Sequence, residues 1–199
     1  MSDGFGGMAT VVTRLPFFRT IMGWLSGVAA KYKTLKRGLT GAIFRRPATG
    51  HNLYMLPGGL AEIFTARPGS HTIVWSRRRG LVRLALETGA QLTPLYIFGG
   101  NDFFHQLLTH DSALSRISRA AGASLTLFWG RWWLPVPLAP PHGLTIAIAE
   151  PLPSRRAVGT TPTEEEIQAL HTEYAKAMLE LFDEYKAAAG YPDAQLQIL

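Results

Sequence analysis

The sequence predicts an α/β fold: a mostly parallel or mixed sheet flanked by helices and closed by a long C-terminal helix. Three observations carry this expectation. Short apolar runs alternate with helix-patterned segments along the chain. The strand candidates are apolar on both faces, as in a sheet covered on both sides. The last long segment carries a complete helix signature. With 199 residues, 47% of them hydrophobic and 17% charged, the chain is long and apolar enough for one domain, 1–199, with its own core.

The elements follow in order. In "LPFFRTIMGWLSGV", Leu15 to Val28, Phe18, Met22 and Leu25 share one side, and Phe17, Ile21, Trp24 and Val28 lie beside them. That breadth fits either a core-facing helix or one lying in a membrane interface. A basic, irregular stretch then runs to about Gly50. "NLYML" is a short buried strand ending at Pro57-Gly58-Gly59, and "HTIVW" is a β-branched strand candidate. In "RRRGLVRLALETG", Leu81, Leu84, Ala85 and Thr88 recur at helical spacing, with Gly89 as the stop. "AQLTPLYIFGG" is a further strand, followed by a polar, helix-leaning segment from Asn101 to Ala121 and by strands in "SLTLFW" and "LTIAIAE".

The final helix is the most explicit element. Thr163 with Glu166 forms a capping box directly after Pro162. Ile167, Leu170, Tyr174, Met178, Leu181 and Tyr185 step by three or four residues, Glu173, Lys176 and Glu180 take the other side, and Gly190 with Pro192 ends the run. No internal repeat, low-complexity tract or linker interrupts the chain.

Composition narrows the chemistry. There is no cysteine, so disulfides, thiolate metal sites and a cysteine nucleophile are excluded. The net charge of +6 is gathered in clumps: Lys31, Lys33, Lys36 and Arg37; Arg45 and Arg46; Arg77, Arg78 and Arg79. Such clumps suit phosphates, whether in nucleic acid, an anionic lipid or a nucleotide-bearing cofactor, or form a solvated basic face. Nucleic acid is not expected, because the aromatics sit inside apolar runs rather than alternating with basic residues. The start lacks a basic segment before an apolar core, so no secretory signal is expected. The uncharged window Trp132 to Ala149 is broken by Pro135, Pro137, Pro140 and Pro141, and no clean transmembrane helix stands out.

"YMLPGGLAEIF", Tyr54 to Phe64, sets the functional question. Two adjacent glycines between strand and helix shape a tight turn, or they form a floor whose backbone N–H groups face a negatively charged ligand atom. Both readings fit the residues alone.

Five motifs in order resolve the class. "LPGGLAE", "RRGLVRLALETGAQLTPLYIFGGNDFF", "FWGR", "LTIAIAEPLP" and "TPTEEEIQALHTEYAKAMLELFDEYK" together resemble the type-2 diacylglycerol acyltransferase family, which includes monoacylglycerol and wax-alcohol acyltransferases. The resemblance runs from about Leu15 to the C-terminus. It implies a glycerolipid-acyltransferase-like fold and an acyl-CoA-dependent O-acyltransferase of neutral-lipid synthesis. It further implies acyl-CoA as co-substrate with no cofactor and no metal, an acylglycerol or fatty-alcohol acceptor, and a membrane surface at the cytosolic side of the endoplasmic reticulum or a lipid droplet.

Three departures shape the expectation. The family's His-Pro-His-Gly motif, thought to supply the catalytic histidine, belongs upstream of the matched region and does not occur here. The family's membrane-embedding segments also belong upstream. Where the family has Phe-Gly-Glu-Asn, this sequence has Phe98-Gly99-Gly100-Asn101. The domain is therefore expected to be N-terminally incomplete relative to the family, with no catalytic base of its own. A non-catalytic membrane- or partner-binding module with the same fold is the alternative.

Acyl transfer needs a base for the hydroxyl proton, donors for the charge developing on the carbonyl oxygen, and cations for the coenzyme A phosphates. With the resemblance in view, the backbone at Gly58 and Gly59 is the candidate for the donors. Glu62 is a candidate to orient a base or a substrate hydroxyl, or else is a surface carboxylate, and Arg78, Arg79 and Arg83, opening an expected helix, are candidates for the phosphates. His142 in "PPHG" is expected to be a turn residue and His171 to make a structural hydrogen bond. His51, His71, His105 and His110 show no metal-like spacing.

Overall fold

A computed structural model describes residues 3–8, 20–21, 23–24, 26–41, 51–58, 62, 67–106, 128–134, 136–154 and 160–199. Within them the fold is α/β, with sheets of both kinds. Strands β1 (Asp3–Met8), β2 (Gly27–Ala29) and β3 (His51–Tyr54) form a parallel sheet in the order β2-β1-β3. β4 (Thr72–Ile73) pairs in parallel with the C-terminal β9 (Gln197–Ile198). β5 (Leu95–Phe98) with β8 (Thr145–Ile148), and β6 (His105–Gln106) with β7 (Phe128–Trp129), are antiparallel. Helices α1 (Tyr32–Leu39), α2 (Arg79–Thr88) and α3 (Glu164–Tyr185) pack in series, α1 against α2 and α2 against α3.

α3 begins as its sequence dictates. The Thr163 hydroxyl accepts from the Glu166 N–H at 3.2 Å, and the Glu166 carboxylate accepts from the Thr163 N–H at 2.7 Å. Its stripe of Ile167, Leu170, Tyr174, Met178, Leu181 and Phe182 is buried against Trp75, Val82 and Leu86 around α2 and Tyr96, Phe98 and Ala147 of β5 and β8. This is the main core. A smaller one gathers Phe5, Leu35 and Leu84 where β1, α1 and α2 meet. α2 stops at Gly89, whose φ of 69° is a left-handed cap that glycine holds without strain.

Several elements differ from expectation for identifiable reasons. Ser26 turns to a φ of 57°, so the first helical segment (Thr20, Ile21, Gly23 and Trp24 among the described residues) gives way to β2, and Val28 lies in a strand. Tyr32–Leu39 is a helix rather than irregular chain, because Leu35 and Leu39 recur at helical spacing among the lysines and bury against Phe5. β1 forms from a glycine-rich segment without an apolar alternation to announce it. Strands β5 and β8 are not the doubly covered strands of a parallel sheet: Tyr96, Phe98 and Ala147 face the core, while Leu95, Ile97, Ile146 and Ile148 are exposed on the other side. In the helix-leaning segment from Asn101, the described residues form a 3-10 turn and then β6, and its remainder from 107 lies outside the described residues. α3 ends at Tyr185, and Gly190, with φ of 90°, closes the turns that follow it. No helix among the described residues is long and apolar enough to cross a membrane.

Candidate functional site

The segment between β4 and α2, residues Val74 to Arg78, organises the site. β9 fixes it from one side: the Trp75 and Ser76 N–H groups both donate to the Leu199 carbonyl at 2.8 Å. On this frame three of the expected residues meet. Glu62 Oε1 accepts from the Val74 N–H at 2.9 Å. Arg78 Nη2 donates to the Gly58 carbonyl oxygen, and Arg78 Nε reaches the Val74 carbonyl at 3.4 Å.

The Glu62 carboxyl occupies the space that a side chain on Gly58 would take. The φ of Gly58 is outside the left-handed region, so the turn alone does not require a glycine. A Cβ built on Gly58 would stand 1.6 Å from Glu62 Cδ and 2.0 Å from Oε1. The carboxyl thus lies directly over the glycine Cα, in space a side chain would fill. Gly59 lies outside the described residues.

Burial raises the Glu62 carboxyl above its ordinary pKa, and the Val74 N–H and the Arg78 charge pull the other way. Its negative charge is felt in the core behind it. Burial, then Glu62, push the Tyr174 phenol up to about 12, and the same two influences head the causes that raise Tyr96. The result is a half-buried carboxyl with a raised pKa beside a guanidinium.

Arg79 and Arg83 go elsewhere. From the first turns of α2 they reach the start of α3: Arg83 Nη2 donates to Glu164 Oε1 at 2.6 Å, Arg79 Nη2 to Gln168 Oε1 at 2.6 Å, and Arg79 Nη1 lies 3.7 Å from Glu164 Oε2. The structure therefore separates the three arginines into Arg78 at the Glu62 corner and an exposed pair bridging two helix starts.

On the inward side of the same segment sits His171. Its Nε2–H donates to the Trp75 carbonyl at 3.0 Å, the Trp75 indole N–H donates to the His171 carbonyl at 3.0 Å, and the rings stack with centroids 4.9 Å apart. Both residues are buried. This reciprocal pair is the structural hydrogen bond expected of His171. His142 lies in the Pro140–Gly143 turn, edge-on to Tyr191.

Sequence reasoning passed over a second polar group in the core. His71 Nδ1 and the Tyr96 hydroxyl are 2.9 Å apart, and His71 is ringed by Phe98, Phe182 and Tyr191. Burial lowers its pKa, against a raising influence from Asp102. Asp102 ties the Gly69 N–H (2.8 Å) to the Tyr191 hydroxyl (2.7 Å), and Asn101 donates to the Ser70 carbonyl at 2.7 Å. A signal exists in the sequence: Asn101 and Asp102 stand in "FGGNDFF", inside one of the motifs that carry the family resemblance. Gly100, where the family has glutamate, is exposed. Among the described residues, no group of three or more His, Asp or Glu is placed to hold a metal ion.

Fold and corner define the class: a mixed α/β protein carrying a half-buried carboxyl–guanidinium corner over a glycine. The family follows from sequence comparison: residues 8–199 match the family described as diacylglycerol acyltransferase, and the chain belongs to it. It is similar to human 2-acylglycerol O-acyltransferase 3, with 33% identity over 161 residues, 75% of this chain and 46% of that protein. It is 30% identical to diacylglycerol O-acyltransferase 2 of Xenopus laevis over 164 residues, 77% of this chain and 44% of the relative. Human diacylglycerol O-acyltransferase 2-like protein 6 is 30% identical over 185 residues, 86% and 51% of the two chains. The chain spans about half the length of the curated relatives it matches. No solved structure matches it.

Proposed function

We propose that the chain is part of an acyl-CoA-dependent O-acyltransferase of acylglycerol synthesis, working at the cytosolic face of the endoplasmic reticulum membrane or on a lipid droplet. The acceptor in this reading is an acylglycerol or a fatty alcohol, and acyl-CoA is consumed as co-substrate. One observation carries it: Gly58, Glu62 and Arg78, up to 20 positions apart, meet on one short segment in a chain of this family.

The chemistry fits that corner. Negative charge develops on the thioester carbonyl oxygen as the alcohol attacks, and preorganised donors lower that barrier. Arg78 brings a cation with five N–H donors. Glu62, holding its proton more tightly than an ordinary carboxyl, is suited to hydrogen-bond an acceptor hydroxyl or to orient a base. The family's histidine motif does not occur in this sequence, so the proton-accepting step is not assigned to any residue of it. Coenzyme A phosphates meeting Arg79 and Arg83 would have to displace Glu164 from them.

That pairing also favours a second reading, a binding module without turnover. The test is equilibrium binding of labelled long-chain acyl-CoA to the purified chain, followed by incubation with diacylglycerol in vesicles. The proposal expects saturable binding, at least tenfold weaker in Arg78→Ala, with little turnover. Vesicle binding without acyl-CoA binding would instead establish the module. Turnover abolished by changing any one of the six histidines would place the base within this chain.

A further inference from the structure

In "FWGRWWLPV" the described residues 128–134 and 136 form a finger that the acyl-transfer reading leaves unused. It is rooted in the body at two points: His105 pairs with Trp129 across β6 and β7, and the Leu138 N–H donates to the Phe103 carbonyl at 2.8 Å. Its tip is hydrogen-bonded. The Gly130 N–H donates to the Leu134 carbonyl at 2.8 Å, Arg131 N–H to Val136 at 2.9 Å, and Leu134 N–H to Arg131 at 3.2 Å. Gly130 is needed there, since a Cβ would stand 1.9 Å from the Val136 carbonyl oxygen.

What the tip displays does not serve the fold. Trp132 and Trp133 are 73% and 81% exposed, and Leu134 beside them is exposed as well. Both tryptophans hold left-handed backbone, with φ of 56° and 63°, where bulky L residues are rarely found. Trp133 stacks on Trp129 at 5.7 Å, and the Arg131 guanidinium lies 5.6 Å from the Trp132 ring centroid. Strained backbone that presents two large apolar rings to water is characteristic of a contact surface.

The chemistry of the tip selects the partner. Indole rings combine an apolar body with one N–H donor and favour the zone between acyl chains and headgroups. Arg131 is the finger's one charged residue, a cation able to extend to headgroup phosphates, on a chain of net charge +6. We propose that the Trp132–Trp133 finger inserts into the interfacial zone of a phospholipid bilayer, with Arg131 at the level of anionic headgroups. This names the surface by which the proposed acyltransferase meets its membrane, and it rests on the membrane part of that reading.

The test is co-sedimentation of the whole chain with phosphatidylcholine vesicles, with and without phosphatidylserine, together with tryptophan quenching by bromine-labelled lipids. The variant is Trp132→Gly with Trp133→Gly, which removes the rings and also relieves the left-handed backbone, so loss of folding is not the risk. The double variant should lose affinity for both vesicle types at least about tenfold, about 1.4 kcal/mol, and Arg131→Gln should lose affinity for the phosphatidylserine vesicles alone. Wild-type binding that the double variant retains in full overturns the finger and leaves the membrane reading standing. A wild-type chain that binds neither vesicle overturns both. Loss of concentration-dependent self-association, with vesicle binding intact, would show that the finger meets a second copy instead.

Discussion

Residues Val74 to Arg78 support two polar arrangements that differ in kind, one buried and one half-buried. Inward, Trp75 and His171 exchange hydrogen bonds in a buried, mutually satisfied pair. Outward, Val74 and Arg78 hold a glycine carbonyl and a half-buried carboxyl whose burial raises its pKa against both of them, and the carboxyl fills the space of a side chain on Gly58. Every donor in the inward pair has an acceptor, as expected where stability alone is served. The outward corner confines an ionisable group where burial opposes its charge, an arrangement that favours chemistry over stability. The difference identifies Glu62, and not His171, as the residue to pursue for function.

Three experiments can break or sharpen that contrast. The largest effect is expected from Trp75→Ala. It removes a side chain 1% exposed that stacks on both His171 and Tyr174. Unfolding free energy should fall by about 3–5 kcal/mol in urea titration; a loss below 1 kcal/mol would mean that the pair is not a structural lock. Next comes His171→Ala, which removes one of the two donors to the Trp75 carbonyl and leaves the Arg78 N–H at 2.8 Å as the other. The expected loss is about 0.5–1.5 kcal/mol for that hydrogen bond, with acyl-CoA affinity unchanged. An affinity change without a stability change would exchange the roles of the two sides.

The smallest effect concerns pH. A carboxyl whose folded pKa is raised binds its proton more tightly in the folded chain than in the unfolded one. Its stabilising contribution is therefore full below the ordinary glutamate value of 4.5 and is lost as pH climbs through the raised value. Glu62→Gln keeps an oxygen for the Val74 N–H and removes that loss. Stability profiles of wild type and variant should coincide in acid and diverge as pH rises, with the glutamine form the more stable at neutral pH. Parallel profiles would show that Glu62 is not held against its charge.

How much of this was legible in the sequence depended on where the deciding contacts lie. α3 was legible throughout because the Thr163–Glu166 box and its apolar stripe are local. So was the stop at Gly89, where only the cap's own φ matters. α1 was not, because its apolar residues are few among lysines and its burial comes from Phe5, far off in β1. The outward aliphatics of β5 and β8 suggested doubly covered strands, since an exposed isoleucine and a buried one look alike in a sequence. At the site, Gly58, Glu62 and Arg78 all stand in motifs that are visible in the sequence. Their meeting, and the parting of Arg79 and Arg83 toward Glu164, follow from how β4, α2 and α3 pack. In sequence the glycine fits a turn or an N–H floor; in the structure the space over it holds the Glu62 carboxyl. The finger has no local sequence signature, because tryptophan is not a residue that signals left-handed backbone.

The central claim is that the corner over Gly58 handles the acyl donor. Gly58→Ala tests it most directly, because the added methyl group expels the Glu62 carboxyl from its place. The control is Gly89→Ala, a glycine with left-handed φ at the remote end of α2, expected to cost on the order of 1 kcal/mol of stability without touching the corner. The measurement is the dissociation constant for labelled long-chain acyl-CoA in the two variants beside wild type. Gly58→Ala should weaken binding at least about tenfold, about 1.4 kcal/mol, while Gly89→Ala lowers only the melting temperature. If Gly58→Ala also changes only the melting temperature, the corner is a turn support and the assignment fails.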